Sequence, residues 1–182
     1  MAEKVARVYA AAAFEAAATD RDKERLVSDA RTLSQMLEAE PRLMKIFLHP
    51  DISAGEKKQS AEKIFKGRLS DTVCGLIAVL IEKDRMSCIG DVLGEIEALY
   101  KKYKGIGVVY VSAAMPVNDR QKAALEKKLL ETTGCKSLEM HYSVDESLIA
   151  GITVRMGDRM VDSSVKTRLT NMKRQLQTLQ LK

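Results

Sequence analysis

Residues 145–172 read DESLIAGITVRMGDRMVDSSVKTRLTNM, with three aspartates, two glycines and three serines set among apolar runs. These are the residue types of a carboxylate pair, a metal site, an activated serine or a phosphate loop. Spacing decides among them. Gly157-Asp158 reads as the tip of a hairpin and Asp162 as its base, because glycine tolerates the positive φ of a two-residue turn. A strand rises ~3.3 Å per residue, so these carboxyls stand ~13 Å apart, too far to work as a pair. The D-x-S pattern at 162–164 has no His or Lys base at a recognisable spacing. A phosphate loop needs its glycines between a strand and a helix, and here they lie before the strand and in the hairpin. The polar residues are turn and cap residues.

Other chemistry-bearing side chains are sparse. Cys74, Cys88 and Cys135 are far apart and form no CxxC, and His49 and His141 lie near no other metal-ligand type at metal-site spacing. The reading is of reduced thiols, no metal centre and no cofactor. No nucleophile–base pair stands out, so the expectation is of a protein that is not an enzyme.

The elements that position these residues come in two textures. Val5, Tyr9, Ala12, Ala13 and Ala16 recur at helical spacing on a narrow face, and Thr19 and Asp20 end that helix. Leu26, Ala30, Leu33 and Leu37 give a second stripe, stopped before Pro41. A short apolar piece spans 43–48. Ser53 and Glu56 form a capping box for a fourth helix. Ser70 caps a fifth, DTVCGLIAVLIEK, which is apolar almost all round and so belongs in the middle of a bundle or under a partner. Ile89, Val92, Leu93, Ile96, Leu99, Tyr100 and Tyr103 mark a sixth, closed by KKYKG.

After Gly105 the pattern changes. Residues 108–111 read as a strand, Asn118 or Asp119 caps a helix closed by Gly134, and Leu138, Met140, Tyr142 and Val144 alternate with Glu139, His141 and Ser143 as a half-buried strand. Ile149–Met156 reads as a strand, Arg159–Val161 as its return, and Asp162 or Ser163 as the cap of a last helix. That helix carries Val165, Leu169, Met172, Leu176 and Leu179 as one seam. The fold class expected is α+β: a six-helix N-terminal domain over 1–105 and a β-α-β-β-β-α domain over 106–182.

Charge and hydropathy narrow the partners. The net charge is +5; the first 104 residues carry 18 basic and 17 acidic side chains, and the rest carry 12 and 8. The excess basicity is therefore C-terminal, which suits an acidic protein partner or nucleic acid. Aromatics are only 4% with no Trp, which argues against a base-stacking surface. The first residues show no long apolar core of a signal peptide, and the longest uncharged run, between Asp71 and Glu82, is too short to span a bilayer.

At this point a resemblance takes shape. VARVYAAAAFEAA, the central IAVLIEKDR, and the order Asp145, Leu148-Ile149-Ala150-Gly151, Gly157-Asp158, Val161-Asp162, Ser164-Val165, Arg168-Leu169 resemble the delta subunit family of bacterial F-type ATP synthases, relatives of the mitochondrial oligomycin-sensitivity-conferring subunit. The likeness runs the length of the chain; Ser163 departs from a frequent glycine. It implies a non-catalytic stator subunit of a proton-driven ATP synthase, peripheral at the cytoplasmic face of the cell membrane and touching the membrane only through the complex. Its implied partners are an alpha-subunit N-terminal helix and the end of the b-type stalk. The positions matching the first contact are Val5, Tyr9, Ala12, Ala13, Ala16, Val73, Ile77 and Leu80. Lys166, Arg168, Lys173 and Arg174 are candidates for the second. The rival reading is a small basic nucleic-acid-binding adaptor, for which the last helix lacks a dense lysine cluster.

Overall fold

The computed structural model describes residues 2–179, and the chain divides into two compact units, Met1–Tyr103 and Lys104–Lys182. The first is helical and the second mixes helices with a sheet, so the fold is α+β.

Helix α1 (Ala2–Ala16) presents an all-alanine face to the core: Ala6, Ala10 and Ala13, followed just past the helix by Ala17, are buried. Spacings of four, three and four place them in one stripe. Helix α2 (Asp20–Ala39) opens with a capping box. The Asp22 amide donates to Thr19 Oγ1 and the Thr19 amide donates to Asp22 Oδ2, each at 3.2 Å. Thr19 therefore starts α2, whereas α1 ends at Ala16. The same residue types stop one helix and start the next, so the sequence alone did not separate the two roles.

Pro41, at the first position of α3 (Pro41–Leu48), supplies a pre-set φ where an N–H is not needed. Phe47 from α3 stacks on Phe65 of α4 (Ala54–Phe65) with centroids 6.3 Å apart. Ser53 and Glu56 form the expected capping box.

Helix α5 (Asp71–Glu82) buries Val73, Leu76, Ile77, Leu80 and Ile81. Its entrance differs from the sequence reading. Ser70 makes no side-chain cap, and its hydroxyl oxygen is buried without a partner among the described residues. Its backbone N–H donates instead to Asp29 Oδ2 of α2 at 2.8 Å, so a carboxylate from another helix holds the start of α5. A short 3-10 turn (Met86–Cys88) leads to α6 (Ile89–Lys104), which adds Ile89, Val92, Leu93 and Ile96 to the core.

The second unit runs β1 (Ile106–Ala113), α7 (Asp119–Thr133), β2 (Ser137–Val144), β3 (Ile152–Met156), β4 (Arg159–Asp162) and α8 (Val165–Leu179). Asn118 caps α7 and Gly134, at φ 68°, closes it. The sheet order is β2-β1-β3-β4. β1 and β2 are parallel, joined through α7, and the other pairs are antiparallel. Val109, Val111 and Ala113 of β1 are buried at the centre. β2 is an edge strand with no fully buried residue, and Tyr142 and Val144 are exposed, so its alternation marks faces rather than depth.

The strand expected from Ile149 begins only at Ile152. Residues 146–148 form a 3-10 turn, Ile149 sits at φ 66°, and Gly151 at φ 93°. A Cβ at Gly151 would stand 2.6 Å from the Ser163 carbonyl oxygen, so this glycine lets the entry to α8 approach. The cap of α8 is Ser164, whose Oγ accepts from the Thr167 amide at 3.2 Å. Asp162 supports it from one step back: its carboxylate accepts from the Ser164 amide at 2.8 Å and from the Thr167 hydroxyl at 2.7 Å. These donors, the Ser164 amide first, hold the Asp162 carboxyl below the usual aspartate range.

Two outcomes follow from this packing. Ala10→Leu drives a large side chain into the closed α1 face and lowers unfolding stability by about 1 to 3 kcal/mol in chemical denaturation, whereas Ala12→Leu, exposed on the same helix, changes it by less than about 0.5 kcal/mol. Asp162→Asn lowers the melting temperature at neutral pH. A depressed folded-state pKa gives stability above the ordinary aspartate range that is lost as pH falls through the folded value. The gap between variant and wild-type melting temperatures therefore closes as the pH is lowered through and below that range.

Candidate partner-binding surfaces

The segment that looked most like an active site is occupied with its own backbone. Asp145 Oδ1 accepts from the Ser147 amide at 3.0 Å, Gly157 and Asp158 make the turn between β3 and β4, and Asp162 and Ser164 hold the start of α8. Among the described residues no group of three or more His, Cys, Asp or Glu side chains is placed to hold a metal. No helix there is long and apolar enough to cross a membrane.

On α1, Val5 and Tyr9 are half-buried, Ala12 and Ala16 are exposed, and Ala13 is buried. Arg85, just beyond α5, donates from Nη1 to the Tyr9 hydroxyl at 3.1 Å and lies over its ring at 5.8 Å from the centroid. This contact fixes the ring on the surface where α1 packs against α5. Val73, Ile77 and Leu80 are at most 1% exposed, so they pack inside the unit, under the surface rather than on it. Between its charged ends, Asp71 and Glu82, α5 exposes Gly75 and Val79, the latter 44% exposed, and α1 adds Val8 at 67%. The sequence reading missed Val8 and gave Val79 no surface role. Val8 lies four residues before Ala12, so a stripe rotated by one position would have found it. An α5 apolar on every side gives no such clue.

On α8, Lys166, Arg168 and Lys173 are exposed, and the Arg174 side chain lies outside the described residues. Leu169 and Met172 stand between these bases at 54% and 59% exposure, and Val165 is half-buried. The helical seam read from the sequence is thus open over its described part. Large apolar side chains left in solvent and rimmed by charge mark an interaction surface. The chemistry available on both surfaces is that of binding.

The family model described as ATP synthase delta (OSCP) subunit matches residues 5–176. The ATP synthase subunit delta of Lachnoclostridium phytofermentans is 34% identical over 181 residues, covering 100% of both chains. That of Nitrobacter winogradskyi is 32% identical, with 91% of this chain and 89% of the relative aligned. Among solved structures, a chain of the Toxoplasma gondii mitochondrial ATP synthase hexamer superposes with a TM-score of 0.70 at 20% identity, over 94% of this chain and 96% of that one, which shows a shared fold. With the family pattern matched from the first helix to the last, the chain belongs to the ATP synthase delta (OSCP) subunit family.

Proposed function

We propose that the protein works as a stator of an F-type ATP synthase, joining the top of the catalytic head to the end of a b-type stalk at the cytoplasmic face of the membrane. The observation that carries this reading is the family match across both units, from residue 5 to residue 176. The subunit is non-catalytic. Its task is to stay bound at two places while the rotor turns, so that torque drives ATP synthesis rather than rotation of the head.

The six helices of the N-terminal unit form the head-binding module in this reading. An alpha-subunit N-terminal helix lies along α1 and α5, meeting Val5, Tyr9, Ala12 and Ala16. Ala13, Val73, Ile77 and Leu80 form the packed floor beneath it. Small side chains on α1 let a second helix approach closely, and Val8 and Val79 give it apolar contact. The stalk end lies along α8, with Leu169 and Met172 as apolar contacts and Lys166, Arg168, Lys173 and Arg174 matched to acidic side chains. Bases interleaved with apolar residues on a helix suit a helical protein partner better than a phosphate backbone. Nanomolar attachment corresponds to ~12 kcal/mol, within reach of one well-packed helix anchor at each end.

Titration of the purified chain with a peptide of the alpha-subunit N-terminus tests the first contact. Binding is expected at micromolar concentration or tighter. Tyr9→Asp should weaken it at least tenfold, about 1.4 kcal/mol. Absence of micromolar binding, or indifference to Tyr9→Asp, overturns the assignment. For the second contact, Arg168→Glu with Lys173→Glu should abolish recovery of ATP-driven proton pumping in delta-depleted membranes. ATP hydrolysis by the detached head should be unchanged.

A further inference from the structure

The chain between β2 and β3 bends at Ile149 in a conformation that β-branched residues rarely hold. Ile149 sits at φ 66° and ψ −55°, and the Ala150 amide donates across it to the Leu148 carbonyl at 2.7 Å. This is a γ-turn of the strained hand. Burial does not repay the strain, because the Ile149 side chain is 65% exposed. The surrounding backbone holds the turn instead. The Asp145 amide donates to the Ala113 carbonyl at 2.8 Å, the Val165 amide to Ala150 at 2.9 Å and the Ala114 amide to Gly151 at 3.4 Å. A strained apolar residue presented to solvent by a fixed surround points to function rather than packing.

Beside this turn lies a cavity of about 310 Å³. Its walls are Ala113 and Ala114 at the end of β1, Gly151 and Ile152 at the start of β3, and Leu125 of α7. Met115 stands at its rim, 75% exposed. No ionisable side chain lines it. The one side-chain amide there, Gln121, already accepts from the Asn118 amide at 3.1 Å. This lining rejects a nucleotide, a phosphate or any charged group. The volume is at the lower end of small-molecule sites, ~300 to 1,000 Å³, and suits a large apolar side chain. Side chains of that kind, seated in pockets, are the anchors of protein interfaces.

The cavity is continuous with the α8 surface. Ala150 lines the cavity and accepts from Val165, the first residue of α8. α8 also packs on the turn at 146–148 that leads to Ile149. The open seam of Leu169 and Met172 runs on from there, so a partner helix laid along the seam has its end at the cavity.

We propose that the cavity is a socket for one large apolar side chain from the end of the stalk helix, with Ile149 and Met115 packing on that helix from the rim. The proposal rests on the stalk reading of α8 and adds an uncharged anchor to its basic face.

Calorimetric titration of the full chain with a soluble segment from the end of a b-type stalk, beside thermal melts of the same samples, tests this. Ala114→Leu fills the cavity, and Ile149→Gly relaxes the turn and removes the rim contact. Each should weaken binding at least about tenfold, with the melting temperature unchanged or raised. Affinity and melting temperature lost in parallel in both variants mark a structural role and overturn the proposal. Leu169→Asp, on the α8 seam, separates the two readings. If it abolishes binding while Ala114→Leu and Ile149→Gly leave affinity unchanged, the stalk still lies on α8 and the socket falls. If the segment fails to bind the unchanged chain at micromolar concentration, both fall. As a direct check, p-benzoylphenylalanine in place of Met115 should photo-cross-link to an apolar residue of the bound segment. Cross-linking to a second copy of this chain instead, or none with the segment bound, overturns the assignment.

Discussion

The alanine face of α1 is the contact on which the helical unit depends. Four small side chains in one stripe let the α1 backbone settle close against its neighbours, and α5 is the helix that most needs covering. An α5 rich in Val, Leu and Ile on nearly every side cannot stand in water. It is covered by α1 and α4 and held at its start by Asp29 of α2. A larger residue on the α1 stripe would lift one wall of this enclosure. The outer surface of α1 is shaped by the same composition, since Ala12 and Ala16 are exposed there and are small too, which is what the proposed head contact draws on. One choice of residue thus serves both the interior and the surface offered outward.

The second unit rests on a different balance. Its fully buried side chains are few and centred on β1, and α7 and β2 contribute none. Order comes from hydrogen-bonded corners instead: the Asn118 cap, the Asp145 turn, and the Asp162–Ser164–Thr167 set at the start of α8. Polar residues that suggested chemistry are used to fix where strands end and a helix begins. An exposed seam on α8 and an open edge on β2 are natural in such a thin unit, because there is too little chain to cover every apolar or hydrogen-bonding surface.

Much of this was legible in the residues, where local rules govern. The capping box at Ser53, the Gly134 stop and the Gly157-Asp158 turn are short-range chemistry, and each stands where spacing put it; of the two caps offered before α7, Asn118 is the one used. The misreadings have physical reasons. The Ser70–Asp29 bond joins residues 41 apart, and no local pattern carries it. Ile149 looks like a strand residue, yet it sits at positive φ in the turn that brings Gly151 under the α8 entry. Alternation identified the two faces of β2 but not its place at the sheet edge, which depends on where the other strands dock. The hardest feature to read was the outward stripe of α5. Periodicity distinguishes inside from outside only where polar residues mark the outside, so Val73, Ile77 and Leu80 could not be told from Val79.

The strand order has a mechanical consequence. The chain enters the sheet at the start of β1 and leaves it at the end of β4. Ala113 pairs with Ile152 and Thr153 pairs with Asp162, so the exit lies at the far end of the sheet from the entry. Tension between entry and exit therefore runs along the strands. The β1–β3 and β3–β4 ladders are loaded in shear, and their hydrogen bonds must yield together instead of unzipping one at a time. For a part that holds still against a turning motor, the sheet is oriented like a lap joint pulled along its length.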